Sequence, residues 1–188
     1  MLENAEDGNM RTPLQNMILR TYETDARNVD KRFTSRLSRT ASPLGGDYGR
    51  VRSSGAQNHQ GWDLAAAAET QVMAITDGVI EWTHNYTGNP DRDPYGNQVC
   101  LRTNLARRGT GQPIWAFYAH LLRLCVHTRQ AVREGDIIGF VGNTGNAKTT
   151  PTHLHFEIRS NGARHLHKGL LERLNPGEVL GYSYYICA

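Results

Sequence analysis

Apolar positions recur along this chain in two rhythms. Near the N-terminus the spacing is helical: Leu14, Met17, Ile18 and Tyr22 fall at i, i+3, i+4 and i+8, a narrow stripe. Thr12 stands where an N-cap is expected, Pro13 at the first helical position, and Gln15 completes a capping box. The residues before Thr12 read as a frayed tail. Residues 27–39 are basic and weakly periodic, and residues 43–49, with three glycines, read as a loop. Beyond them the rhythm changes to short apolar runs: Gln71–Ile75, Gly78–Trp82, Gln98–Arg102, Ile114–Tyr118, Ala131-Val132 and Ile137–Val141. Turn signals separate them, at Thr76-Asp77-Gly78, Gly109-Thr110-Gly111 and Glu134-Gly135-Asp136. Short strands with few helical stretches predict an all-β core. Near the C-terminus, Leu170–Leu174 reads as one helical turn ahead of Asn175-Pro176.

The strand predicted to follow Pro151 has an unusual polar face. Side chains alternate with period two, so Leu154, Phe156 and Ile158 face one way and His153 and His155 the other. The apolar set faces a core. The two imidazoles, roughly 7 Å apart, lie side by side on what reads as a wet face. Neutral imidazole is a common ligand of divalent transition metals. A His-x-His pair by itself is more often a pair of solvated strand residues, so the case depends on what accompanies it.

Composition narrows the classes. The chain has 188 residues and 38% hydrophobic content, suited to one domain plus an appendage. Its mean hydropathy is -0.57, and no run approaches the roughly 18 apolar residues of a membrane span. The formal net charge is +3. That bias is mild, and with no Lys/Arg clusters interleaved with aromatics it does not predict a nucleic-acid partner. Cys100, Cys125 and Cys187 are far apart without Cys-x-x-Cys spacing; one disulfide plus a free thiol is compatible, with no pairing singled out.

Two further stretches accompany the histidine pair. His59-Gln60-Gly61-Trp62-Asp63 sets a His and an Asp four apart, just before the apolar Leu64-Ala65-Ala66. Tyr118-Ala119-His120-Leu121 puts a His at the end of an apolar strand, where burial costs desolvation unless the ring is bonded or coordinated. Each alone has an ordinary explanation; together they make an N/O ligand set with imidazoles to spare.

In order and spacing, His59-x-x-x-Asp63, Tyr118-Ala119-His120-Leu121 and His153-Leu154-His155-Phe156-Glu157 resemble the three signature motifs of the lysostaphin/LytM-type zinc metallopeptidases. Linking segments agree, among them Tyr95-Gly96-Asn97, Gly135-Asp136-Ile137-Ile138-Gly139 and Gly142-Asn143-Thr144-Gly145, and the similarity covers about residues 32–181. The resemblance implies a mainly β fold: an antiparallel sheet core of the LytM peptidase type (duplicated hybrid motif-like). Residues 1–42 would be an N-terminal extension with one helix, and residues 43–188 the LytM-type metallopeptidase domain. It implies one Zn²⁺ held by His59, Asp63 and His155, with His120 and His153 as non-ligand catalytic histidines. Two imidazoles and a carboxylate leave a tetrahedral ion an open position, which marks a catalytic rather than structural site. Which histidine is general base and which steadies the oxyanion stays open at this level. Glu157 shares the histidines' strand face and reads either as an orienting partner of a ligand or as a surface carboxylate.

The substrate class so implied is bacterial peptidoglycan, cleaved as a peptide by a zinc endopeptidase. The alternative is a non-catalytic LytM-type module that binds the cell wall or regulates another wall hydrolase. Glu69-Thr70 replaces the family's usual Gly-Thr, and the loop from His84 to Tyr95 is longer than typical, which leaves Gly-Gly versus D-Ala-diaminopimelate specificity open. His165-Leu166-His167, His84 and His127 read as ordinary polar residues. Residues 1–10 do not resemble a secretory signal peptide. Action in the periplasm or extracellular wall would then require a removed signal, a phage-associated origin, or delivery by an injection system. The last would bring a cognate immunity protein as partner.

Overall fold

The computed structural model describes residues 46–52, 57–165 and 169–180. The helix expected after Thr12, and the domain boundary at residues 42 and 43, lie outside these residues. The strands are β1 (Gly49–Arg52), β2 (Gln57–His59), β3 (Trp62–Ala65), β4 (Gln71–Met73), β5 (Gly78–His84), β6 (Asn97–Ala106), β7 (Pro113–Leu124), β8 (Ala131–Val132), β9 (Ile137–Val141), β10 (His153–Arg159) and β11 (Arg173–Leu174). A 3-10 helix spans Gly145–Thr149, and a short α-helix, α1, spans Pro176–Leu180.

Strands β1 and β2 pair with each other, and the other nine form one sheet in the order β11-β10-β7-β6-β5-β8. Strand β3 also pairs with β10, and β4 joins through β9 to β7. Every pairing is antiparallel, as the resemblance implied. The alternation read from the sequence sets the two faces. Leu154, Phe156 and Ile158 join Trp62, Leu64, Tyr118 and Leu121 in the main core. The other face carries Phe117, Ala119 and Cys100, covered by Trp82, Tyr95 and Trp115.

That second layer corrects the expectation of a wet histidine face: every residue of β10 is buried. Two further differences have local causes. The Asp77-Gly78 turn closes no hairpin, because β4 pairs with β9 while β5 pairs with β6 and β8. The helical turn lies after Asn175-Pro176 rather than before it. Asn175 Oδ1 accepts from the Gly177 N–H, and Pro176 takes the first helical position, so this pair starts a helix. Leu170–Leu174 instead turns back to lay Arg173 and Leu174 against Arg159 and Ile158.

Candidate metal centre

Strand β10 carries the site because it has neighbours on both edges. His155 lies opposite Asp63 of β3 on one edge and opposite Ala119 of β7 on the other. Thus Asp63 and His155 are cross-strand partners, and His120 follows immediately on the third strand. His59 ends β2, and the chain bends at Gly61 into β3. Only glycine fits at that bend: a Cβ on Gly61 would meet the Phe156 carbonyl oxygen at 2.1 Å.

His59 Nε2, Asp63 Oδ1 and His155 Nδ1 converge. The separations are 3.1 Å from His59 to Asp63, 2.8 Å from His155 to Asp63 and 3.3 Å between the two imidazoles. Tetrahedral coordination at roughly 2.1 Å spaces ligand atoms about 3.4 Å apart, so these donors fit a single zinc-sized ion. The other two predicted site residues are present as well. His153 Nε2 lies 3.8 Å from Asp63 Oδ1, and the His120 ring centroid is 5.0 Å from that of His153. All five lie in one buried cluster.

Backbone carbonyls orient three of the four imidazoles. His59 Nδ1–H donates to Asp47 O at 2.7 Å, leaving Nε2 to face Asp63. His120 Nδ1–H donates to Thr144 O and His153 Nδ1–H to Pro151 O, each at 2.9 Å. Since a carbonyl can only accept, each of these rings keeps its other nitrogen, Nε2, for a ligand or substrate. His155 is reversed: Nδ1 faces Asp63, and Nε2 faces Glu157 Oε1 at 3.0 Å.

His120 occupies a strained turn of the strand. Its φ of 59° is left-handed, where a side chain is disfavoured, and the pairing of β7 with β9 shifts register just beyond it. The irregularity re-aims the imidazole into the cluster. Two of the linking motifs hold it there. The His120 N–H donates to Tyr95 O, Asn97 Nδ2 donates to Leu121 O, and Thr144 Oγ1 donates to the same carbonyl. Gly96, with φ of 63°, packs its bare Cα against Thr144.

Behind His155 lies a charged network that the sequence reading left undecided or missed. Glu157 is fully buried, not a surface carboxylate. Its Oε2 accepts from Arg159 Nε at 2.6 Å and Arg173 Nε at 3.0 Å. The Tyr95 hydroxyl sits 2.9 Å from Oε1 and 2.5 Å from Gln60 Oε1. Arg159 continues the period-two face of His153, His155 and Glu157, and that shared face was the available signal. Tyr95 stood in a linking motif without a role of its own, and Arg173, from a distant segment, gave no signal.

Burial and charge set the protonation of these groups. Burial alone would raise the Asp63 pKa; His59, His153 and His155 overrule it and hold the carboxyl well below its ordinary range. Burial likewise opposes ionisation of Glu157, yet Arg159, His155 and Arg173 keep it charged. Burial, then His153 and His155, push His120 down to about 3, so it is neutral at physiological pH. Burial disfavours the His155 cation too, but hydrogen bonds to Asp63 and Glu157 raise its pKa to about 9.

A groove of about 1350 Å³ opens over the cluster and extends along the loop at residues 84–95. His165 is exposed on its wall, and His127 is exposed elsewhere. Cys100 is buried and Cys125 exposed, and both are free thiols. Among the described residues no helix is long and apolar enough to cross a membrane.

An antiparallel β domain whose groove gathers two imidazoles and a carboxylate around one point, with two more imidazoles alongside, has the architecture of a metallohydrolase. The profile of peptidase family M23 matches residues 57–166, and the chain belongs to that family. It is 38% identical over 104 residues to the DD-carboxypeptidase/endopeptidase Mpg of Neisseria meningitidis serogroup B, a match covering 55% of this chain and 20% of that protein. It is 33% identical over 104 residues to the murein hydrolase activator NlpD of Salmonella dublin, covering 55% of this chain and 24% of the activator. The chain thus spans about a quarter or less of these relatives' length. Among solved structures, the catalytic domain of the antimicrobial peptidase lysostaphin from Staphylococcus simulans superposes with a TM-score of 0.52 at 28% identity, covering 72% of this chain and 89% of that domain.

Proposed function

We propose that this chain is a zinc-dependent endopeptidase that hydrolyses peptide bonds in the stem peptides or cross-links of bacterial peptidoglycan, in the periplasm or the extracellular wall. The reading rests on membership of the M23 family and, above all, on one observation. The donor atoms of His59, Asp63 and His155 lie 2.8–3.3 Å apart, with His120 and His153 beside them.

Bound at these atoms, zinc would supply Lewis acidity, lowering the pKa of water toward ~7 and polarising a carbonyl. His59, Asp63 and His155 would hold the ion. The chain's other residues do the rest. His120, kept neutral by burial, has a free Nε2 lone pair and takes the proton of the attacking water as general base. His153, held by the Pro151 carbonyl with its Nε2 toward the cluster, steadies the oxyanion that develops on the scissile carbonyl. His120 then passes its proton to the departing amine. Burial of the cluster excludes competing water and strengthens each of these contacts.

The similarity to an activator motivates a second reading, a regulatory module that acts through another hydrolase. The full set of ligand and assisting residues weighs against it. Digestion of purified sacculi of two cross-link chemistries, with mass analysis of the released muropeptides, tests the choice. The endopeptidase reading predicts soluble fragments with new peptide termini, abolished by chelator. A zinc-loaded protein that releases nothing from either wall favours the regulatory reading.

A further inference from the structure

Away from the metal cluster, the groove wall carries a second, unrelated chain of polar groups. Asp93 is buried; its Oδ1 accepts from Gln98 Nε2 at 3.0 Å, and its Oδ2 accepts from the Thr87 N–H at 3.3 Å. The same Oδ2 lies 2.5 Å from His84 Nε2, and the other nitrogen of that ring, Nδ1, is in contact with Arg164 Nη2. A guanidinium can only donate, so His84 Nδ1 must be the acceptor and the ring proton must reside on Nε2. The order is therefore a buried anion, a neutral imidazole, and an exposed cation at the groove wall. Arg164 is bound to a neutral partner, and among the described residues it forms no ion pair, so its charge is uncompensated at close range.

We propose that Arg164 is a substrate-recognition residue that binds a free carboxylate on the peptide lying in the groove. The inference rests on the reading of the chain as a peptidoglycan endopeptidase, whose stem-peptide substrates carry such carboxylates. Three observations support it. His84 occupies one N–H of the guanidinium, and the rest of the planar fork keeps the geometry that pairs with a carboxylate through two parallel bonds. The Asp93–His84 pair holds a long side chain that would otherwise sample many rotamers, so the entropy of ordering it is lost before binding rather than during it. Arg164, His84 and Asp93 border the same groove as His59, Asp63 and His155, and a second exposed cation, Arg92, stands on that wall. None of the three wall residues has a part in the metal cluster. His84, an ordinary polar residue by its sequence context, becomes a positioning residue for Arg164.

Calorimetric titration of the zinc-loaded full chain tests this with two synthetic stem-type peptides carrying an uncleavable bond. One has its side carboxylates free and the other has them amidated. The expected result is that the wild type binds the acid about tenfold or more tighter than the amide. Arg164→Gln brings the acid-to-amide ratio close to one, and His84→Ala lowers it part of the way. Arg108→Gln, which removes a charge on an exposed turn outside the groove, keeps the wild-type ratio. A wild type without acid preference, an Arg164→Gln protein that keeps it, or an equal loss in Arg108→Gln would overturn the subsite. A His84→Ala ratio equal to the wild type would remove the relay. Because no bond is cut in this experiment, failure to degrade sacculi would remove the proposed activity while an acid preference lost in Arg164→Gln would still stand.

Discussion

Glu157 Oε1 lies 3.0 Å from His155 Nε2, on the side of the ring opposite the Nδ1 that faces Asp63. The imidazole is therefore held between two carboxylates, one at the cluster and one behind it. The rear carboxylate is fixed in turn by Arg159 and Arg173. Such a partner orients a ligand ring and raises its basicity.

Removing the rear carboxylate has separable effects on metal and fold. Glu157→Ala is expected to weaken zinc binding about 10–100-fold, read by chelator competition. It also leaves two buried guanidinium groups without their anion, which should cost about 3–5 kcal/mol in denaturant unfolding. Glu157→Gln keeps an oxygen for His155 Nε2–H but not the charge, so it should retain more metal affinity than stability.

In protein stripped of metal, the raised pKa of His155, about 9, means that its ring carries a proton at pH 7. A metal must displace that proton to reach Nδ1. Zinc affinity is therefore expected to rise with pH, up to about tenfold per unit below pH 9, with a proton released on binding. Calorimetry in buffers of different ionisation enthalpy measures the release; none at pH 7 would contradict this account. The sign for folding is opposite. A raised His155 pKa stabilises metal-free protein fully below its unfolded pKa, near 6.5, and that contribution fades as pH rises through about 9.

His120→Ala and His153→Ala are expected to keep zinc and lose about 10²–10⁴-fold in hydrolysis, because both rings would act on substrate rather than on the ion. His59→Ala and Asp63→Ala should lose the metal as well. Zinc content and turnover measured on the same preparations separate the two groups.

The strands that carry the site were legible because alternation and turn residues mark them: β5, β6, β7, β9 and β10 all fall on runs that the pattern picks out. The candidate site residues stand in three separated motifs, and the structure brings all five together. What escaped is non-local. His59 and Asp63 read as neighbours four apart, yet they lie on different strands, and the bend between them depends on Gly61 packing under the Phe156 carbonyl. The His153 face read as wet because nothing in β10 announces the layer of Tyr95, Trp82 and Trp115 on that side of the sheet. Glu157 could not be placed without Arg173, which arrives on β11.

The departure at Glu69 has a local cost. Its φ is 69°, a left-handed conformation that glycine adopts without strain, and the side chain is exposed. Glu69→Gly is expected to stabilise the fold by about 0.5–1 kcal/mol, after allowing for glycine's greater freedom when unfolded. Thermal unfolding should show a rise of about 2 °C, with zinc content unaltered.

The central claim is that one ion, gathered by His59, Asp63 and His155, enables this chain to cut peptidoglycan peptides. Its most direct test is to titrate zinc into metal-free protein while counting new peptide termini released from sacculi. The account predicts a rate that climbs in proportion to added zinc and levels off at one equivalent. Release that ignores zinc, or a protein that binds one equivalent and releases nothing, would contradict it.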